Sequence, residues 1–368
     1  MEKLKKDKTA LSVAGGVEQP SVTNADSIEK FKKKKKKKFN VKELTEGILK
    51  GNISMLSKAI TLVESSLPKH EKIAHKIINK CLPYSGKSLR IGITGVPGVG
   101  KSTFIEAFGK YLTSEGHKVA VLAVDPSSGR TKGSILGDKT RMESLSTDEN
   151  AFIRPSPSAG SLGGVARKTR ETVFLCEAAG FDVIIIETVG VGQSEIAVHS
   201  MTDFFLLLML AGAGDELQGI KRGVMEMADL IAITKADGGN EDKANIARME
   251  YAGALHLFPP AGSGWKPDVV TCSAKSLMGI NHIWERILNY KILTEENGFF
   301  KVNRQKQTQY WMFETIEDQL KTNFYNHPEV SEEIISIKDK VLNKQLCSFS
   351  AANKLLSKYF ESLEKGRD

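Results

Sequence analysis

The segment Gly95-Val96-Pro97-Gly98-Val99-Gly100-Lys101-Ser102 limits what this chain can fold into more than any other stretch of it. It satisfies the pattern GxxxxGK[ST] in full, with an apolar run at 89–94 before it and a helical pattern at 103–112 after it. The glycines allow successive backbone N–H groups to curve around an anion with no Cβ in the way. The helix that follows adds the free N–H groups of its first turn, beginning near Thr103. Lys101 brings a cation on a flexible stem to the same place, and Ser102 brings a hydroxyl suited to a hard metal ion. A phosphate cradle of this kind requires a strand that ends where a helix begins, so it already commits the chain to strand–loop–helix units.

The rest of the sequence extends that grammar. Apolar runs at 89–94, 118–124, 181–187, 204–210, 230–234 and 268–271 alternate with polar loops and helical patterns. The near-continuous apolar character of 183–186 and 204–210 suits parallel strands covered on both faces. The expected fold is therefore α/β, a doubly wound P-loop domain over 89–290. Residues 41–88 read as helical, with Val41, Leu44, Ile48 and Leu49 at helical spacing and a second stretch through Ile73, Ile77 and Ile78. Beyond Gly279 only helical stripes recur: Ile280, Ile283, Trp284 and Ile287, then Phe313, Ile316, Leu320 and Phe324, then Ile334, Ile337 and Val341. Residues 291–368 are read as a C-terminal helical arm, which has little core of its own and is expected to support a homodimer.

Charge separates the ends from the middle. The formal excess of +8 equals the 13 lysines less the 5 acidic residues of positions 1–42, so the rest of the chain is balanced. Residues 32–38 are seven consecutive lysines, a self-repelling run, and residues 1–40 are read as a disordered basic tail. The balanced body argues against a specific nucleic-acid partner. No apolar run approaches the roughly 18 residues of a membrane span, so no transmembrane segment is expected. Four cysteines, Cys81, Cys176, Cys272 and Cys347, lie far apart with no metal-like spacing, which favours free thiols in a reducing compartment. The cytoplasm is the expected location.

Acidic residues at strand ends supply the candidates for a metal beside the loop. Asp125 ends one apolar run, Asp138 lies in a glycine-bearing segment soon after it, and Glu187 ends the run at 183–186. With Ser102, these are the candidate ligands for Mg²⁺. Glu187-Thr188-Val189-Gly190 has the form of a turn that senses a terminal phosphate, with Gly190 offering a backbone N–H and Gln193 a candidate to orient water. Thr234-Lys235-Ala236-Asp237 lies close to NKxD, and Cys272-Ser273-Ala274-Lys275 supplies an SAK loop. A carboxylate at Asp237 accepts from guanine N1 and its 2-amino group, a donor pair that adenine lacks. Lys235 can lie along the base, while Ser273, Ala274 and Lys275 present a backbone N–H to its O6. The ligand expected is GTP or GDP with Mg²⁺, and the reaction slow GTP hydrolysis.

These motifs, taken in order with Asp125–Ser128, GDKTRM at 137–142, ETVGVGQSE at 187–195 and GDELQGIK at 214–221, resemble the MeaB/ArgK family of G proteins. The resemblance covers roughly residues 41–330. It implies a GTPase that acts as a chaperone for adenosylcobalamin-dependent methylmalonyl-CoA mutase, gating cofactor loading and protecting the radical enzyme. It also implies homodimers built through C-terminal helices, and an additional switch in 214–221 with Asp215 and Lys221 rearranging charge near the nucleotide. Lys101, Asp215, Lys221 and Gln193 are then the candidate catalytic residues. Two other readings stay open: a GTPase for nickel-enzyme maturation, for which no Cys/His cluster is spaced, and a nucleotide-binding module coupled to another acyl-CoA mutase.

Overall fold

The computed structural model describes residues 39–124, 142–155, 162–188, 194–212 and 222–365. Among the described residues three helices come first: α1 (Val41–Leu49), α2 (Ile53–Glu64) and α3 (Pro68–Cys81). Their starts follow ordinary capping rules. The Asn52 side chain accepts from the Met55 N–H at the head of α2, and Pro68 occupies the first turn of α3, where no N–H is needed.

The α/β body then runs β1 (Leu89–Gly95), α4 (Lys101–Ser114), β2 (Val119–Val124), α5 (Glu143–Ser146), β3 (Ala151–Arg154), α6 (Leu162–Ala178), β4 (Val183–Thr188) and α7 (Ser194–His199). It continues with β5 (Phe204–Leu210), α8 (Arg222–Glu226), β6 (Leu230–Thr234), α9 (Glu241–Leu255), β7 (Asp268–Thr271) and α10 (Ile280–Glu296). The helices α11 (Phe299–Tyr325), α12 (Pro328–Leu342) and α13 (Ser348–Lys365) close the chain.

The seven strands form one sheet in the order β3-β2-β4-β1-β5-β6-β7, and every recorded pairing is parallel. From β1 the chain winds out to β2 and β3 on one side and, after β4, to β5–β7 on the other. That reversal opens a crevice at the carboxyl end of β1, where α/β sheets bind ligands. All the strand ends that carry motifs lie on this edge: Gly95, Thr188, Thr234 and Thr271.

Alternation along the strands divides the core into two layers. Leu89, Ile91, Ile93, Val183 and Ile185 face a layer completed by Phe104 and Phe108 of α4 and Ile283 and Trp284 of α10. Ala120, Leu122, Ile184, Ile186 and Phe205 face the other, which is covered by α1–α3 and α6. Gly92 is required on this second face, since a Cβ there would lie 2.7 Å from the Phe205 ring. The N-terminal helices are thus the lid over half of the sheet.

Two features go beyond the sequence reading. β3 is a seventh strand, only four residues long and at the sheet edge, with just Phe152 and Ile153 buried, too short to show a pattern. α13 is a fourth late helix whose apolar residues are dispersed among lysines, serines and glutamates. No helix among the described residues is long and apolar enough to cross a membrane.

Candidate functional site

The loop after β1 is shaped by its glycines. A Cβ at Gly95 would sit 2.5 Å from the Leu208 carbonyl of the neighbouring strand, so only glycine permits the chain to leave the sheet there. Gly98 and Gly100 have φ of 79° and 92°, the left-handed region that costs other residues most, and Gly100 is the residue that starts α4. The Val99 N–H donates to the Val96 carbonyl at 3.3 Å, which tightens the turn.

Lys101 opens α4 and folds its ammonium back over the loop, donating to the Gly95 carbonyl at 2.8 Å and more weakly to the Val96 carbonyl at 3.5 Å. Burial holds its pKa below the ordinary lysine value, and the carboxylates of Glu187 and Glu195 act in the opposite direction. Both acids are buried, Glu187 near the end of β4 and Glu195 in the first turn of α7. Among the described residues the hydrogen bonds of this half-buried ammonium go to carbonyls of its own loop.

At the ends of β6 and β7 the chain builds a second wall. Thr234 stands where NKxD has asparagine, and its buried hydroxyl lies 2.9 Å from the Val99 carbonyl and 3.2 Å from the Met209 carbonyl. The threonine therefore braces the phosphate loop itself. Lys235 adopts φ of 56° and stretches its ammonium to the Gly98 carbonyl at 2.9 Å. Asn240 donates to the Lys235 carbonyl at 2.9 Å, and the Ala236 N–H to the Cys272 carbonyl at 3.1 Å. Ser273 is fixed on both sides, its N–H on the Met278 carbonyl and its hydroxyl accepting from the Ser276 N–H. Burial pushes the neighbouring Cys272 thiol up to about 12, so it stays protonated and packs as an apolar group.

These walls enclose a cleft of about 450 Å³, lined by Val99, Gly100 and Thr103 on one side and by Lys235, Asp237 and Ser273–Lys275 on the other. Phe104, Thr234 and Asn240 complete its lining. Ser102 follows Lys101 in the first turn of α4, and the Thr188 hydroxyl bridges to that of Thr94 at 2.8 Å, tying β4 to the base of the loop. Asp125, Asp138, Gly190, Gln193, Asp215 and Lys221 lie outside the described residues.

Sequence reasoning missed two side chains. Glu195 closes the ETVGVGQSE segment and was assigned no role, although the structure buries it within electrostatic reach of Lys101. Asn240 lies beyond Gly238-Gly239, and only its place as the cap of α9 hinted at a fixed position.

Residues 56–329 match the family model described as methylmalonyl Co-A mutase-associated GTPase MeaB, more than half of the chain. The chain belongs to the MeaB family. Among the relatives of this MeaB-family protein, a "Putative GTPase" of Caulobacter vibrioides is 49% identical over 321 residues, 87% of this chain and 98% of the relative. The "GTPase ArgK" of Escherichia coli is 45% identical over 315 residues, 84% of this chain and 95% of the relative. A solved structure titled "Crystal structure of LAO/AO transport system kinase" superposes with a TM-score of 0.70 at 39% identity, covering 87% of this chain and 97% of that one. The MeaB-family chain is thus a P-loop GTPase.

Proposed function

We propose that this GTPase is a chaperone for adenosylcobalamin-dependent methylmalonyl-CoA mutase, or a closely related acyl-CoA mutase, with GTP binding and hydrolysis timing cofactor loading and protection of the loaded enzyme. The family's description ties it to that mutase. The observation that carries the nucleotide half of the reading is the shared cleft, in which Asp237 and the 273–275 loop face the phosphate loop across about 450 Å³. Asp237 selects guanine because a carboxylate only accepts, and guanine alone among the purine bases of cellular triphosphates offers N1–H and 2-amino donors together.

The donors beside Lys101 fit Mg²⁺. Ser102 gives a hydroxyl, and Glu187 is a buried carboxylate close enough to Lys101 to act on its proton affinity. Hard oxygens beside a phosphate cradle are the ligands magnesium takes. In this reading Ser102 and Glu187 would hold the ion, with Asp125 and Asp138 as further ligands, and the ion would supply positive charge to offset that of the phosphates.

The chain's own groups do the rest. Lys101 moves from the Gly95 carbonyl to the phosphates, and the loop N–H groups stabilise charge on the transferring phosphoryl group. Water attacks the γ-phosphorus in line, and the bridging oxygen leaves with GDP. Gln193 orients that water, the Gly190 N–H senses the terminal phosphate, and Asp215 and Lys221 rearrange charge when the mutase docks. With no Asp or His assigned as a base, turnover in the free protein is slow.

The C-terminal helices support a homodimer, because Phe313, Ile316 and Leu320 on α11 and Phe349 and Phe360 on α13 are exposed. The free thiols of Cys81, Cys176, Cys272 and Cys347 support a reducing compartment such as the cytoplasm. Single-turnover GTP hydrolysis with and without purified mutase tests the chaperone reading. The mutase should raise the rate, and an unchanged rate at saturating mutase would remove it.

A further inference from the structure

α11 is 27 residues long, yet only Gln307 and Trp311 on it are buried. A helix docked through so little apolar surface takes its register from directional polar contacts. Arg304 reaches the Gly86 and Ser88 carbonyls, both at 2.6 Å, and three further contacts fall on the short segment 200–203. The Trp311 indole N–H donates to the Ser200 carbonyl at 3.1 Å, and the Gln307 amide to the Thr202 carbonyl at 2.7 Å. Arg304 clasps both oxygens of the Asp203 carboxylate at 2.7 and 2.6 Å. Positions 304, 307 and 311 follow one face of the helix.

The loop is an extension of α7 rather than a free connection. The Ser200 N–H donates to the Ile196 carbonyl, the Met201 N–H to the Val198 carbonyl, and the Thr202 hydroxyl to the Val198 carbonyl at 3.1 Å. Residues 194–203 therefore form one hydrogen-bonded piece. Its head carries the buried carboxylate of Glu195, on the segment that follows β4, whose Thr188 hydroxyl bonds that of Thr94 at 2.8 Å directly before the loop glycine Gly95. Its foot presents three acceptors to α11. At the foot, Asp203 also accepts from the Arg90 N–H at 2.8 Å, which ties the same point to β1.

We propose that residues 194–203 are a strut that couples the phosphate end of the nucleotide cleft to the position of α11, through the Trp311 and Gln307 contacts. The inference rests on the nucleotide reading above and adds the route by which the site speaks to the helical arm. A bound terminal phosphate draws Lys101 away from its resting carbonyls and changes the field in which Glu195 sits. Because the strut is internally bonded, a shift at its head is delivered to its foot. Packed elements respond by discrete rearrangement rather than gradual deformation, and directional bonds at the foot carry that step into α11.

Hydrogen exchange of the full chain tests this, with Mg²⁺ and either GDP or β,γ-imido GTP bound. Amides of α11 should exchange differently in the two complexes. Gln307→Met with Trp311→Phe removes both donors while keeping the bulk of each side chain and the Arg304–Asp203 pair. In this variant the nucleotide-dependent difference in α11 should be lost, while both nucleotide affinities stay within about twofold of the parent. The single Trp311→Phe, which keeps an aromatic ring beside Arg170, should at least halve the difference and serves if the double variant does not fold. A double variant that retains the full difference overturns the strut. So does a parent protein that binds both nucleotides with no difference in α11. Failure to bind either nucleotide sinks the nucleotide reading itself, and the strut with it.

Discussion

The two edges of the sheet handle buried charge in opposite ways. At the amino edge, Glu177 of α6 accepts from Arg90 Nε at 3.0 Å and from its terminal nitrogen at 2.9 and 3.1 Å, and also from the Gly86 N–H and the Ser88 hydroxyl. Asp203 is held equally fully by Arg304 and the Arg90 N–H. At the carboxyl edge, Lys101 and Lys235 rest on loop carbonyls. Charges that meet countercharges from their own chain hold the fold together. A cation whose hydrogen bonds go to neutral carbonyls, with carboxylates acting on it only through the field, can exchange those bonds for a ligand's, and this separates the two edges.

The comparison can be broken at either edge. Glu177→Leu strands the Arg90 guanidinium in the interior and should cost about 3–5 kcal/mol of stability. Denaturant unfolding measures it, and GTP affinity in the folded fraction should be unchanged. Lys101→Ala at the other edge should do the reverse. Hydrolysis should fall by about 10²–10³ in single-turnover assays, with the unfolding midpoint nearly unmoved, because among the described residues the ammonium's hydrogen bonds go to its own loop.

Asp237→Asn is expected to weaken GTP by about 10–100-fold in equilibrium titration. The amide turns one acceptor into a donor, so xanthosine triphosphate, with a carbonyl in place of the 2-amino group, should gain affinity. The smallest effect sharpens the amino edge. Asp229, just before β6, accepts from the Phe205 N–H at 2.9 Å, and burial pushes its carboxyl up to about 7. Between the ordinary carboxylate value near 3.8 and about 7, the unfolded chain has released a proton that the folded chain keeps. Stability from this group therefore falls as pH rises through that window. Asp229→Asn should flatten the dependence and add about 1–2 kcal/mol at pH 7.5, with little change near pH 4.

The functional edge was more legible in the sequence than the structural one, for a physical reason. A phosphate cradle needs consecutive residues in fixed order, so Gly95–Ser102 reads as a unit, as do the segments at 234–237 and 272–275. Interior parallel strands such as β4 and β5 show as unbroken apolar runs, because both faces are covered. The Arg90–Glu177 and Arg304–Asp203 pairs join positions 87 and 101 residues apart and leave no local signal. Glu195 was hidden for a related reason: its neighbours place it next to a turn, but only the packing of α7 carries it toward Lys101. Thr234 looked like a departure from the base-reading pattern, and its hydroxyl turns out to brace the Val99 carbonyl.

The central claim is that the cleft between Gly95–Lys101 and Asp237 reads guanine. Competition binding with Mg²⁺ on nucleotide-free protein, GTP against ATP, tests it most directly. GTP should bind at least about 100-fold more tightly, and equal affinity for the two nucleotides, or binding of neither, would contradict it.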